Sequence, residues 1–94
     1  MQNSTLFLIQ APFSQMDKTW QELSDMANAN DAIVIMGDAI LQINSSIINR
    51  FARLYCLSNE HSLLADQFKA AVKILDYAQF ADLVVQFERC VTLK

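Results

Sequence analysis

Residues 71–94 read AVKILDYAQFADLVVQFERCVTLK, and this stretch decides the fold. Its first part, 72–75, is rich in bulky and β-branched apolar residues, which suit the pleated surface of a strand. Asp76 stands directly before a helical pattern, where its carboxylate can accept hydrogen bonds from free backbone N–H groups. Val91 and Leu93 then predict a last short strand. Strand, helix and strand in this order form a βαβ unit, which implies parallel strands and a right-handed crossover.

The predicted helix after Asp76 carries its large side chains on one side. Tyr77, Phe80, Val84 and Phe87 recur at helical spacing. We therefore expect Tyr77, Phe80 and Phe87 to pack on the sheet as an aromatic stripe. Because Tyr77 occupies the first helical position, its hydroxyl could also remain in water or donate a hydrogen bond across an interface.

Further apolar runs upstream predict the rest of the sheet. Residues 5–10, 31–36 and 53–57 are expected to be strands, the first two of them covered on both faces. A helical pattern over 16–27 connects the first two strands and is expected to begin near Ser14. The only glycine of the chain follows the second strand at a predicted turn.

The segment between the second and fourth strands is less regular. Residues 39–44 fit either an extended piece or the start of a helix, and Asn44 or Ser45 could cap a short helix after them. Ser58 is expected to cap a further helix whose apolar residues extend to Phe68. The alternation of strands and helices predicts a three-layer α/β/α fold with a mainly parallel sheet of about five strands.

The length and composition limit the number of domains and the kinds of partner that the chain can bind. Residues 1–94 make a single domain with one core. Hydrophobic residues are 53% of the chain, which favours either a surface that a protein partner covers or a core rich in Ala and Ile. The net charge of −3 is unlike the basic footprint of a nucleic-acid-binding domain, so direct nucleic acid binding is not expected.

The sequence gives no support for several classes of protein and site. No apolar run approaches the roughly 20 residues needed to span a bilayer, and no basic leader precedes the first apolar run. We expect a cytoplasmic protein with reduced thiols, because two cysteines are too few for a disulfide scaffold. One histidine, His61, and two distant cysteines do not supply a zinc site. Because a glycine-rich phosphate loop is also lacking, no metal or cofactor is expected.

The two cysteines are the candidate nucleophiles. Cys56 lies within a predicted buried strand, LYCL, where apolar surroundings raise the pKa of a thiol and make it inert. Cys90 lies between the predicted helix and the last strand, where we expect it to be more exposed. A core role is favoured for Cys56, and Cys90 is the first candidate for a reactive thiol, with Cys56 as the second.

Asp38 and Asp76 each follow a predicted strand. Because the carboxyl ends of parallel strands share one edge of a sheet, the two carboxylates could form a polar site there. A turn residue at 38 and a helix cap at 76 explain both without any chemistry, and this interpretation is favoured. Together with Tyr77, they are the candidate ligand or interface residues.

The pattern resembles the TusB/DsrH family of sulfur-relay proteins over nearly the whole chain. The strongest match is LDYAQFADLVVQ at 75–86, where a strand-end hydrophobe and Asp-Tyr precede an apolar helix. DAIVIMGDAI at 31–40 resembles the family's acidic start, apolar strand and Asp-containing turn. LYCLSNE at 54–60 and LFLIQAPFS at 6–14 are similar to its third-strand and first-strand regions.

The resemblance implies a small α/β/α subunit that assembles with TusC- or DsrF-like and TusD- or DsrE-like chains, with a hetero-hexamer as one form of the complex. In such complexes the TusD- or DsrE-like chain has the principal sulfur-accepting cysteine. Some DsrH members carry a cysteine in the first helix, and residues 16–29 contain none. We therefore expect a TusB-like subunit, non-catalytic by itself, in a complex for 2-thiolation of the wobble uridine of tRNA.

Three alternatives stay open at this point. The chain could be a DsrH-like subunit in the oxidation of stored sulfur. It could be a sulfurtransferase that uses Cys90 or, less favourably, Cys56 as a persulfide acceptor. It could also be a stand-alone α/β binding module that uses the edge formed by Gly37 and Asp38.

Overall fold

The computed structural model describes residues 5–10, 16–28, 31–51 and 53–93, and it confirms the predicted α/β fold. The strands of the described residues are Thr5–Ile9 (β1), Ala32–Ile35 (β2), Leu54–Leu57 (β3), Val72–Leu75 (β4) and Arg89–Leu93 (β5). The α-helices are Met16–Met26 (α1), Ser45–Arg50 (α2) and Tyr77–Val85 (α3). Three 3₁₀ segments cover Gly37–Gln42, Ser58–Leu63 and Asp66–Phe68. Within these ranges no helix is long and apolar enough to cross a bilayer.

The five strands form one parallel sheet in the order β4-β3-β2-β1-β5. The first four strands follow one another across the sheet, and the chain then returns along α3 to place β5 beside β1. The predicted βαβ unit is therefore present, but its two strands lie at opposite edges of the sheet. Thr5 pairs with Arg89 and Ile9 with Leu93, so β5 follows β1 along its full length.

The first core lies between one face of the sheet and most of the helical segments. Ile33 and Cys56 from the strands pack there with Leu23 of α1 and Ile40 of the 3₁₀ helix that follows β2. All four residues of β2 are buried. This confirms that the strand is covered on both faces, as its continuous apolar run predicts.

The second core lies on the opposite face, beneath α3. Leu6 and Val34 from the strands pack with the buried Leu83, and Phe80 and Phe87 pack partly buried around them. Within the described chain, α3 is the one helix whose residues join this core. The three layers are therefore present but unequal, with one helix on this side of the sheet.

Two helices begin at side-chain caps. Asn44 Oδ1 accepts a hydrogen bond from the N–H of Ile47 at 3.1 Å, so Asn44 rather than Ser45 caps α2. Asp76 Oδ1 accepts from the N–H of Gln79 at 2.7 Å, and Gln79 Oε1 accepts from the N–H of Asp76 at 2.9 Å. This reciprocal pair is a capping box, and it confirms the predicted role of Asp76 at the start of α3.

The helix predicted after Ser58 is wrong. The chain forms the 3₁₀ segments Ser58–Leu63 and Asp66–Phe68, and no side chain caps the first of them. Ser, Asn and His residues in its first turns are weak helix formers. The Glu60 side chain also contacts another loop instead of its own helix start. Together these features favour a tight turn over a longer α-helix.

Other local expectations have mixed outcomes. In the ambiguous segment 39–44, residues 39–42 belong to the 3₁₀ helix Gly37–Gln42, whereas Ile43 and Asn44 are extended. Tyr77 is 65% exposed, so the prediction that it packs on the sheet is wrong. The first helical position lies beyond the end of β4, so the ring of Tyr77 does not lie over the sheet. The expected cap of α1, Ser14, lies outside the described residues.

Candidate functional site at the carboxyl edge

An open cleft of about 480 Å³ lies at the carboxyl edge of the sheet. Its lining residues lie at or after the ends of four neighbouring strands. They are Gln10 after β1, Met36, Gly37 and Asp38 after β2, Leu57, Asn59 and Glu60 at and after the end of β3, and Tyr77 after β4. We call this site the carboxyl-edge cleft.

The cleft opens where the chain leaves neighbouring strands toward opposite faces. After β3 the chain continues toward Leu64 in the first core, whereas after β4 it continues into α3 over the second core. Connections that diverge in this way leave a crevice outside the strand ends, which is where open α/β sheets bind ligands. Leu57 and Tyr77 line the cleft from the two diverging connections.

Gly37 and Glu60 join the connections that follow β2 and β3. Gly37 has a φ of +59°, a left-handed conformation that residues with a Cβ rarely adopt. Its N–H donates a hydrogen bond to Glu60 Oε2 at 3.0 Å. The other carboxylate oxygen, Oε1, is buried and has no hydrogen-bond partner among the described residues. The cleft thus contains a carboxylate that retains unused acceptor capacity.

The predicted ligand or interface residues are only partly brought together. Asp38 and Tyr77 both line the carboxyl-edge cleft, and both are exposed. Asp76 lies at the same edge but does not line the cleft. Its carboxylate accepts the hydrogen bond from the N–H of Gln79 that begins α3. Its position is therefore explained by the capping of the helix.

The two cysteines belong to opposite faces of the sheet, and neither lines the cleft. Cys56 is fully buried in the first core. Burial raises the pKa of its thiol, and the negative charge of Glu60 raises it further. Cys90 is exposed and pairs with Leu6, whose side chain belongs to the second core. It stands three positions before Leu93 at the carboxyl end of β5, a rise of about 10 Å along the strand.

The charged groups of the cleft are hydrogen-bond acceptors, and its other polar side chains both donate and accept. Asp38 and Glu60 supply carboxylate oxygens, Gln10 and Asn59 supply carboxamides, and no Lys, Arg or His is among the described lining residues. In the ranges that the structure describes, no group of three or more His, Cys, Asp or Glu side chains could hold a metal ion. His61 is half-buried and lies outside the cleft lining. The site therefore suits a donor group, and a positively charged one above all.

A buried carboxylate near the amino edge of the sheet has a structural role. Asp31 is 4% exposed, and its two oxygens accept hydrogen bonds from the N–H of Thr5 at 2.8 Å and of Asn28 at 2.7 Å. It ties the start of β1 to the connection between α1 and β2. Because both oxygens have partners, Asp31 needs no ligand to explain its burial.

The sequence patterns did not predict Glu60, Gln10 or Asn59 as site residues. Each of them follows a predicted strand, which is the same positional signal that selected Asp38 and Asp76. That signal could have found all three. The bond between Glu60 and Gly37 could not have been found in this way, because it joins residues 23 positions apart in different loops.

The chain has no match among protein-family models or curated proteins. The features that bear on its function are therefore the geometry of the cleft, the placement of the thiols and the motifs of the sequence.

Proposed function

We propose that this chain is a non-catalytic, TusB-like subunit of a cytoplasmic sulfur-relay complex that serves 2-thiolation of the tRNA wobble uridine. The observation that carries the proposal is the placement of the cysteines, since neither Cys56 nor Cys90 lines the carboxyl-edge cleft. A relay subunit built in this way depends on a TusD-like partner for the thiol that accepts sulfur.

The positions of the family-like motifs support the proposal. The motif at 31–40 covers β2 and the turn at Gly37, and the motif at 54–60 covers β3 and reaches Glu60. The motif at 75–86 covers the end of β4 and the whole of α3. Three of the motifs therefore meet around the same carboxyl-edge cleft, which would explain why a family keeps them in this order.

Exposed apolar side chains on α3 support a subunit that is covered by a partner. Tyr77, Ala81 and Val85 follow one another at four-residue spacing, and all three are exposed. Val85 is 81% exposed. Residues four apart lie on the same side of a helix, so α3 presents an apolar stripe outward. A TusC- or TusD-like neighbour that covers this stripe would remove it from water.

Co-expression tests the assembly. We expect the tagged chain to co-purify with TusC- and TusD-like chains in a stable complex, because burial of the exposed apolar stripe on α3 against a partner is favourable. Co-purification with DsrF- and DsrE-like chains instead would move the proposal to sulfur oxidation. A chain that stays monomeric in the presence of both pairs would contradict the proposal and favour a stand-alone binding module.

Cysteine substitution tests the non-catalytic role. In a cell that lacks its own TusB-like chain, Cys56→Ser and Cys90→Ser variants should restore 2-thiouridine in tRNA to the level given by the unsubstituted chain. Mass spectrometry of tRNA nucleosides measures that level. Loss of 2-thiouridine with the Cys90→Ser variant, in a chain that still assembles, would show that Cys90 carries sulfur.

The exposure of Cys90 favours one second candidate function, a sulfurtransferase with Cys90 as a persulfide acceptor. After incubation with a sulfur donor, such a chain would gain about 32 Da, the mass of one sulfur atom added to the thiol. The Cys90→Ser variant would not gain it. Cys56 serves as the internal comparison, because its raised pKa and full burial disfavour the thiolate.

A further inference from the structure

We propose that the carboxyl-edge cleft binds a guanidinium group, presented by an arginine side chain of a protein partner. The cleft combines the carboxylates of Asp38 and Glu60 with the exposed ring of Tyr77. The identity of the partner rests on the proposed function. The binding of the guanidinium group rests on the cleft alone.

Glu60 has one carboxylate oxygen that accepts no hydrogen bond from the described residues. Glu60 Oε2 already accepts the hydrogen bond from the N–H of Gly37 at 3.0 Å, which fixes the carboxylate against the loop after β2. Oε1 is shielded from solvent and has no partner among the described residues. A buried acceptor without a donor is costly. Because Oε1 is enclosed, the Glu60 side chain has to turn toward the cleft before a partner's donor can reach this oxygen, and the new hydrogen bond then relieves the cost.

The charge around the cleft selects a cation. Asp38 and Glu60 are the charged residues of its described lining, so both contributions are negative. Asp76 adds another carboxylate at this edge, directly before the cleft residue Tyr77. A neutral donor would satisfy Glu60 Oε1, but only a cation also gains from this one-sided charge.

The other lining groups favour a guanidinium over an ammonium group. A guanidinium is planar, carries five N–H donors, stacks on aromatic rings and is more weakly hydrated than an ammonium. Tyr77 offers an exposed ring, and the carboxamides of Gln10 and Asn59 offer further acceptor oxygens. The acceptors come from separate loops, which matches a donor that forks in several directions.

The exposure of the cleft favours a side chain of a protein over a free small molecule. Asp38, Asn59 and Tyr77 are all exposed, whereas pockets for small ligands normally enclose most of the ligand surface. Tyr77 also begins the apolar stripe of α3 that continues to Val85. A protein surface can enter the cleft with one arginine and cover that stripe at the same time.

A titration followed by NMR tests the proposal on the full chain. Gly37 is the only glycine, so ¹⁵N-glycine labelling reports on one amide, and that amide donates to Glu60. We expect a saturable shift of this signal with N-acetyl-arginine amide. N-acetyl-citrulline amide, which has the same shape without the charge, should bind at least about tenfold more weakly. Spermidine tests a free polyamine as the alternative occupant.

Two variants locate the site. Glu60→Gln keeps an acceptor for the N–H of Gly37 but removes the charge, and it should weaken the arginine probe by about tenfold. Glu88→Gln removes an exposed charge before β5, at the other end of the sheet, and should change nothing. If Glu60→Gln does not fold, Asp38→Asn provides the same test, because Asp38 is exposed.

Three results would overturn the inference. The first is that the shift of the Gly37 signal does not saturate by about 20 mM arginine probe, a concentration at which even a millimolar site is nearly full. The second is an equal response to the citrulline probe. The third is tighter binding of spermidine than of the arginine probe. If these occur in a chain that still co-purifies with TusC- and TusD-like partners, the arginine site fails and the proposed function stands. If the chain binds the arginine probe but does not co-purify with those partners, the arginine site stands and the proposed function fails.

Discussion

Gly37 shows how a single backbone conformation shapes the candidate site. Its φ of +59° costs a residue with a Cβ about 1–2 kcal/mol. A Cβ at this position would meet Glu60 Oε2 at 3.9 Å, an ordinary contact, so the penalty lies in the backbone. We expect Gly37→Ala to lower the free energy of unfolding by about 1 kcal/mol, and Gly37→Asn to lower it less. Urea titration measures both, and an alanine variant as stable as the original chain would contradict this account.

The Cys56 thiol should make the folding stability of the chain depend on pH. Burial and the charge of Glu60 raise the pKa of its thiol in the folded chain above the unfolded value. The folded state therefore holds the proton at a pH where the unfolded state releases it. Stability from this group is fully present below about pH 8.5 and is lost as the pH rises through the raised pKa.

The comparison that isolates this effect uses Cys56→Ala. Urea unfolding at about pH 7 and about pH 10 should show a larger fall in the free energy of unfolding for the original chain than for Cys56→Ala. Cys90→Ala is the matched control, because Cys90 is exposed, and its fall should equal that of the original chain. An equal fall in all three would mean that Cys56 does not resist ionisation.

At the level of single elements, α3 tests how a cap fixes the start of a helix. Asp76→Ala removes the hydrogen bond that the carboxylate accepts from the N–H of Gln79, and it should cost about 1 kcal/mol of stability. Gln79→Ala removes the other bond of the capping box, which its side chain accepts from the N–H of Asp76, and it should cost less. Asp82→Ala, an exposed site within the same helix, controls for the lost charge. A loss for Asp82→Ala as large as that for Asp76→Ala would show that charge, and not the cap, matters.

Elements with a strong local pattern could be predicted, and those that depend on distant contacts could not. The β2 run and the Asp76 cap are local signals, and both are confirmed. The prediction of a helix after Ser58 is wrong. The Glu60 side chain accepts a hydrogen bond from Gly37 in another loop, and a local pattern does not contain such a contact. Asp38 and Glu60 both follow strands, so their position could place both at the site edge, whereas the hydrogen bond from Gly37 to Glu60 could not be predicted from a local pattern.

At the level of the whole molecule, the sheet order explains where the cleft lies. The apolar pattern predicts parallel strands, but not that β5 crosses the sheet to pair with β1 at its far side. The pairing of β1 with β5 joins residues more than 80 positions apart, which a local pattern does not contain. The return of the chain along α3 leaves β3 and β4 with diverging connections, and the carboxyl-edge cleft forms between them.

The outward stripe of α3 makes the last prediction, about assembly. Val85→Glu should leave the isolated chain folded, because Val85 is 81% exposed. In the proposed complex the same change buries an unpaired carboxylate, which costs more than about 1.4 kcal/mol and so weakens assembly at least about tenfold. Gln67→Glu adds the same charge at an exposed polar position outside α3, and it should co-purify normally with TusC- and TusD-like chains. If Val85→Glu assembles as well as Gln67→Glu, the stripe faces water in the complex, and the partner must bind elsewhere.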